Sequence, residues 1–171
     1  MKESLLINSK SNLINKFKHK GKNILRKIAR QKFPGNPFTP PYVWILGNPK
    51  IGKETWIGAF CLVDSLHDKL TIGKGCQISG GTQIVTHSTL KRCISEDKYD
   101  YTDHAPVKVG DYCFVGSNAV ILMGSEIGHH SVVGAGCVIP QFMKIPPYSI
   151  ITGVPGKIVG SSKKYLKNAK K

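Results

Sequence analysis

Six histidines are the side chains in this 171-residue chain best suited to acid–base chemistry near neutral pH. His87 stands in the segment Ile84-Val85-Thr86-His87-Ser88, just before a long polar stretch, Lys91 to Pro106 (KRCISEDKYDYTDHAP). An imidazole at the root of such a stretch can take a proton from a hydroxyl as it attacks an electrophile. His104, inside the stretch, is the second candidate for a catalytic or acceptor-binding role, and Tyr99 and Tyr101 beside it can stack on a ring. His129 and His130 read as solvated, and His19 belongs to a basic segment. Cys93 is a weak candidate nucleophile, since nothing near it in sequence is arranged to lower its pKa.

The elements that must position these groups are short and periodic. Val109 to Val138 reads as five six-residue units, VGDYCF, VGSNAV, ILMGSE, IGHHSV and VGAGCV. Each opens with Val or Ile and has Cys, Ala or Ser in its fifth place, a period that neither a helix nor a flat strand produces. It predicts a parallel β-solenoid in which strand, tight turn and next strand make one face of a prism. The register runs Ile45, Ile51, Ile57, Val63, shifts by three, continues Ile72, Ile78, Ile84, Leu90, and resumes from Val109 to Ile151. That gives about five coils, a prism roughly 24 Å tall at the spacing of paired strands. His87 takes the fourth place of its hexad, at a turn rather than in the core. The 91–106 stretch is ejected from the side as a loop, a binding element or a plain surface excursion. His67 and Asp68 fall at the three-residue shift, one coil below His87, within reach of the same site.

The same register accounts for the cysteines. Cys61, Cys76, Cys113 and Cys137 all occupy fifth places and read as small core residues, while Cys93 lies outside the pattern. With no CxxC pair, neither a disulfide framework nor a structural zinc is expected, and no metal is assigned.

The formal net charge of +15 is concentrated at the ends. Residues 1–32 hold ten Lys/Arg against Glu3, residues 157–171 hold six Lys and no acid, and Phe33 to Gly156 balances nine bases with nine acids. This excludes a basic groove built into the body, and nucleic-acid binding with it; it suits peripheral contact with an anionic membrane. Residues 12–31 carry an apolar stripe (Leu13, Ile14, Phe17, Ile24, Leu25, Ile28) amid lysines. That pattern fits a basic amphipathic helix lying on a membrane, or one packed on the solenoid end or a neighbouring subunit. The proline-rich 33–42 is a linker. The expected organisation is 1–40 helix and linker, 41–157 β-helix domain and 158–171 basic tail, with short basic helical segments at both termini. With neither a membrane-length apolar run nor a signal-type N-terminus, the cytoplasm is the expected compartment.

The repeats, the Ile-x-x-His segment before an ejected loop, the blocks VGDYCFVGSNAVI and IGHHSVVGAGCVI, and the tail IPPYSIITGVPGK together resemble the hexapeptide-repeat acyltransferases over about Ile45 to Lys157. The bacterial sugar and surface-polysaccharide O-acetyltransferases are the nearest branch. The resemblance implies an all-β, left-handed parallel β-helix, a homotrimer, and acetyl-CoA bound between neighbouring prisms. It implies His87 as catalytic base and coenzyme contacts at Ser117, Ala135, Gly153 and Lys157. The acceptor would be a hydroxyl of a sugar or polysaccharide precursor, receiving the acetyl group directly. The chain departs from the family pattern at Pro140–Lys144 and at Gly156. An N-acetyltransferase acting on an amino sugar nucleotide is the alternative. A γ-type zinc carbonic anhydrase stands further off, because its His-x4-His pair would fall at Ser117 and Leu122. A non-catalytic solenoid is the remaining option.

Overall fold

The computed structural model describes residues 42–168. The basic segment 1–32 and nearly all of the proline-rich linker lie outside the described residues.

Among the described residues are eighteen short strands, fifteen of which make the three parallel walls of a prism. One wall is β1 (Trp44–Gly47), β4 (Leu62–Ser65), β7 (Gln83–Val85), β12 (Val120–Ile121) and β15 (Val138–Ile139), in that order and all parallel. The second is β2 (Lys50–Ile51), β5 (Leu70–Ile72), β10 (Val107–Val109), β13 (Glu126–Ile127) and β16 (Lys144–Ile145). The third is β3 (Trp56–Ile57), β6 (Gln77–Ile78), β11 (Phe114–Val115), β14 (Val132–Val133) and β17 (Ser149–Thr152). Each wall thus has five parallel strands, the five coils that the hexads predict. To the third wall β18 (Lys157–Ser161) adds antiparallel on β17, and helix α2 (Ser162–Asn168) follows it.

The hexad leaders form the core. Ile57, Val63, Ile78, Ile84, Val115, Ile121, Val133, Ile139 and Ile151 are fully buried and stack coil on coil. The fifth-place residues fill the corners beside them: Cys61, Cys76, Cys113 and Cys137 are buried, and all five cysteines are free. Burial pushes the Cys61 and Cys137 thiols up, away from the reactive thiolate. The register fails at one leader, since Leu90 is 61% exposed. The chain has already left the prism after Thr86, so Leu90 opens helix α1 (Leu90–Ile94) of the ejected segment instead of a new wall.

The corners require left-handed backbone, and glycine does not always supply it. At one corner Glu54, Gly75, Tyr112, His130 and Tyr148 follow one another up the prism, all with φ between 53° and 64°. A non-glycine residue there carries steric cost. Neighbouring rings pack together: Tyr112 on His130 at 5.1 Å and His130 on Tyr148 at 5.0 Å, with the Lys163 ammonium 4.1 Å above Tyr148. His130 is thus half-buried in a ring stack, whereas His129 beside it is exposed, as expected of a turn residue.

Candidate active site

Two excursions leave the prism at the same corner, between the first and second walls. The lower one comes after β4, where the step from Ile51 to Ile72 is 21 residues against the 18 from Ile45 to Val63. The upper one comes after β7 and returns at β10. Asp64 of β4 pairs with Val85 of β7, so residues 65–69 run directly beneath the root of the upper loop.

That root is pinned by hydrogen bonds. The buried Thr86 donates through Oγ1 to the Asp64 carbonyl at 3.0 Å, and Ala105 N–H donates to the Thr86 carbonyl at 3.0 Å. Between them β8 (His87–Ser88) pairs antiparallel with β9 (Asp103–His104), His87 directly opposite His104 and Ser88 opposite Asp103. His87 therefore lies on a short strand at the loop root, half-buried with its side chain 27% exposed. Lys91 Nζ lies 2.9 Å from Asp103 Oδ1, tying α1 to β9. Tyr99 and Tyr101 meet edge to face at 5.3 Å on the exposed part of the loop.

Each of the two predicted imidazoles has a carboxylate. His87 Nδ1 is 3.3 Å from Asp64 Oδ2, and the Asp64 side chain is only 5% exposed. The two atoms are in ion-pair range but out of line for a hydrogen bond, so the buried Nδ1 has electrostatic company without a formal partner. Asp64 is itself fixed, because its Oδ1 accepts from Leu66 N–H at 2.9 Å. His104 Nδ1 is hydrogen-bonded to Asp68 Oδ2 at 2.9 Å, and Lys69 N–H donates to Asp68 Oδ1 at 2.6 Å. Those contacts, the His104 bond first, hold the Asp68 carboxyl below the usual carboxylate range. The His67 ring lies 4.4 Å from that of His87. Residues 64–68 thus reach both imidazoles, as the one-coil offset of His67 and Asp68 anticipates. Asp64 was not expected: within a strand it looks like an ordinary outward residue, and only the 21-residue step places it under His87.

The residues expected to meet coenzyme lie elsewhere on the prism. Ser117, Ala135 and Gly153 are all exposed and stack in successive coils at the corner between the third and first walls. Gly136 N–H donates to the Ser117 carbonyl at 2.8 Å, and Val138 N–H to the Gly153 carbonyl at 3.1 Å. The corner is smooth: a Cβ on Gly136 would meet nothing within 4 Å, which leaves the backbone open to a long thin ligand. Lys157 begins β18 at its upper end, exposed. Within one chain this row and His87 occupy opposite edges of the first wall, roughly 15–20 Å apart at the rise of a strand. The structure brings His87, His104, His67, Asp64 and Asp68 together and leaves Ser117, Ala135, Gly153 and Lys157 apart from them. A groove of about 550 Å³ opens on the second wall beside Lys108, Asp111, Glu126, His129 and Lys144. It contains none of the predicted site residues, and Lys144 and Glu126 in it pair with each other.

Comparison with known proteins bears on this geometry. Residues 106–141 match the family model described as the hexapeptide repeat of succinyl-transferase. Over 124 residues the chain is 31% identical to a Staphylococcus aureus (strain Mu50) protein named "Putative acetyltransferase", covering 72% of this chain and 58% of that one. The chain therefore spans less than two thirds of the length of that relative. Among solved structures, a hexapeptide-repeat acetyltransferase from Vibrio cholerae complexed with acetyl coenzyme A is 29% identical, with a TM-score of 0.61 over 71% of this chain and 65% of that one. The polySia-specific acetyltransferase NeuO is 25% identical, with a TM-score of 0.54 over 70% and 61%. Residues 106–141 thus carry the hexapeptide repeat, and with its five-coil prism the chain is similar in sequence and fold to the hexapeptide-repeat acetyltransferases, proteins of the left-handed parallel β-helix fold.

Proposed function

We propose that the chain transfers an acetyl group from acetyl-CoA to a hydroxyl of a sugar or polysaccharide precursor, with His87 as general base. The observation that carries this is the half-buried His87 at the loop root, its Nδ1 facing the buried Asp64 carboxylate 3.3 Å away. With Nδ1 turned to Asp64, Nε2 is the nitrogen left for the acceptor. It takes the hydroxyl proton as the oxygen attacks the thioester carbon. The tetrahedral intermediate then collapses, the C–S bond breaks, and the imidazolium returns the proton to the departing thiolate. Asp64 stabilises the imidazolium between those steps. The acetyl-CoA complex of the Vibrio cholerae relative supports the donor, and the polysaccharide specificity in NeuO's name supports a sugar acceptor.

The separation of His87 from the Ser117–Ala135–Gly153 row supports a shared site. A coenzyme lying along that corner reaches a histidine only if a neighbouring prism supplies it, and a threefold assembly provides three equivalent meetings of this kind. Acetyl-CoA turnover assayed against sugars, nucleotide sugars and amino sugar nucleotides tests the assignment. Thiol release dependent on a hydroxylated sugar supports it. Turnover confined to amines would move the activity to N-acetylation.

A further inference from the structure

The coil below the loop owes its 21-residue step to extra residues at the site's own corner, and those residues are not idle. They bring His67 against the His87 ring at 4.4 Å and place Asp68 2.9 Å from His104 Nδ1. His87 and His104 are direct cross-strand partners, so their side chains leave the same side of the β8–β9 ribbon with Cβ atoms about 5 Å apart. Both turn Nδ1 toward a carboxylate from the coil beneath, Asp64 for one and Asp68 for the other. A neutral imidazole that keeps its proton on Nδ1, facing a carboxylate, has a lone pair on Nε2. The corner therefore presents two hydrogen-bond acceptors a few ångströms apart, His104 the more exposed at 53% of its side chain.

We propose that the Leu66–Asp68 insertion is an acceptor-specificity element, in which Asp68 is a positioning residue that fixes His104 to receive the hydroxyl next to the one being acetylated, so that the acceptor is a sugar bearing a vicinal diol. The proposal rests on the acetyltransferase assignment. His87 takes the proton of the reacting hydroxyl; His104 accepts a hydrogen bond from its neighbour and forms no bond to the acetyl group. The lowered carboxyl of Asp68 is in keeping with a carboxylate held in place by the imidazole.

The experiment measures acetyl transfer from acetyl-CoA to methyl glucoside, methyl galactoside and their monodeoxy analogues by the full-length protein. Removing the hydroxyl beside the acetylated one should cost the native protein about tenfold in kcat/KM, the worth of one hydrogen bond. Asp68→Asn should raise the acceptor KM by a similar factor with a much smaller change in kcat, and should no longer separate a glycoside from its deoxy analogue. His104→Ala should do the same, and in that variant the Asp68 carboxyl, followed by carbon-13 NMR, should titrate higher than in the native protein, with the Lys69 N–H bond still holding it down in part. The proposal is overturned if Asp68→Asn still discriminates against the deoxy sugars, or if its loss falls on kcat alone. It is equally overturned if the native protein hydrolyses acetyl-CoA through His87 yet acetylates none of the diol-bearing glycosides. Should the native protein turn over no acetyl-CoA at all, the underlying acetyltransferase assignment fails, and should His87→Ala leave transfer intact, its histidine base is misassigned; the Asp68 results alone would show neither.

Discussion

Replacing Asp64 by Asn keeps the shape of the site and removes one charge. At 3.3 Å and an effective dielectric near 20, a full carboxylate–imidazolium pair is worth about 5 kcal/mol. Two features reduce that figure. The His87 side chain is 27% exposed, so solvent screens part of the field, and the contact is out of line for a hydrogen bond. Discounting for both leaves about 1.5–3 kcal/mol acting on the imidazolium formed during proton transfer, a loss of ~10–10² in kcat at 1.36 kcal/mol per decade. The assay is release of coenzyme A thiol under saturating acetyl-CoA and acceptor, with single-turnover mixing to isolate the chemical step. Because Asp64 acts through His87, the Asp64→Asn/His87→Ala double variant should be no slower than His87→Ala alone. Full activity of Asp64→Asn, or additive losses in the double variant, would refute the charge-stabilising role.

Other consequences can be tested separately. Mixing His87→Ala protomers with protomers carrying Ser117→Trp should recover activity above that of either parent, because an intact site then forms between neighbours; sedimentation should show a trimer, and a stable active monomer contradicts the shared site. Cys93 should react with a thiol reagent in the native protein while the other four cysteines react only on unfolding, since it is exposed and they are buried. Removal of residues 1–32, which hold ten of the 25 Lys/Arg, should weaken binding to anionic vesicles and reduce its salt dependence without loss of acetyl transfer. Unchanged vesicle binding with a dissociated trimer would instead assign that segment to subunit packing.

Much of the prism is legible in the chain because every coil obeys one rule: an aliphatic leader points inward and a small fifth residue fits the corner. That rule predicts the burial of Ile57, Val115 and Ile139 and of the four cysteines in fifth places. It fails where the chain escapes the repeat. Leu90 carries the right side chain at the right interval, yet nothing in the hexad marks that the prism was abandoned at Thr86. The aromatic corner is similarly hidden, since Tyr112, His130 and Tyr148 adopt left-handed backbone normally given to glycine and are compensated by ring packing visible only in three dimensions. His87 is legible as a histidine at the root of the long loop. Its carboxylate is not, because Asp64 lies 23 positions earlier, and only a coil lengthened to 21 residues places it beneath.

The most direct test of acetyl transfer through His87 compares native protein with His87→Ala in two measurements, acetyl-CoA affinity by calorimetry and acetyl transfer to the best sugar acceptor. The expected result is unchanged affinity, because the proposed coenzyme contacts lie along the Ser117–Ala135–Gly153 row and a neighbour's His87 would meet only the transferring acetyl group, with turnover lowered ~10²–10⁴-fold as for loss of a general base. Near-native turnover by His87→Ala, with activity abolished in His104→Ala, would contradict the account and move the base from the coil to the loop.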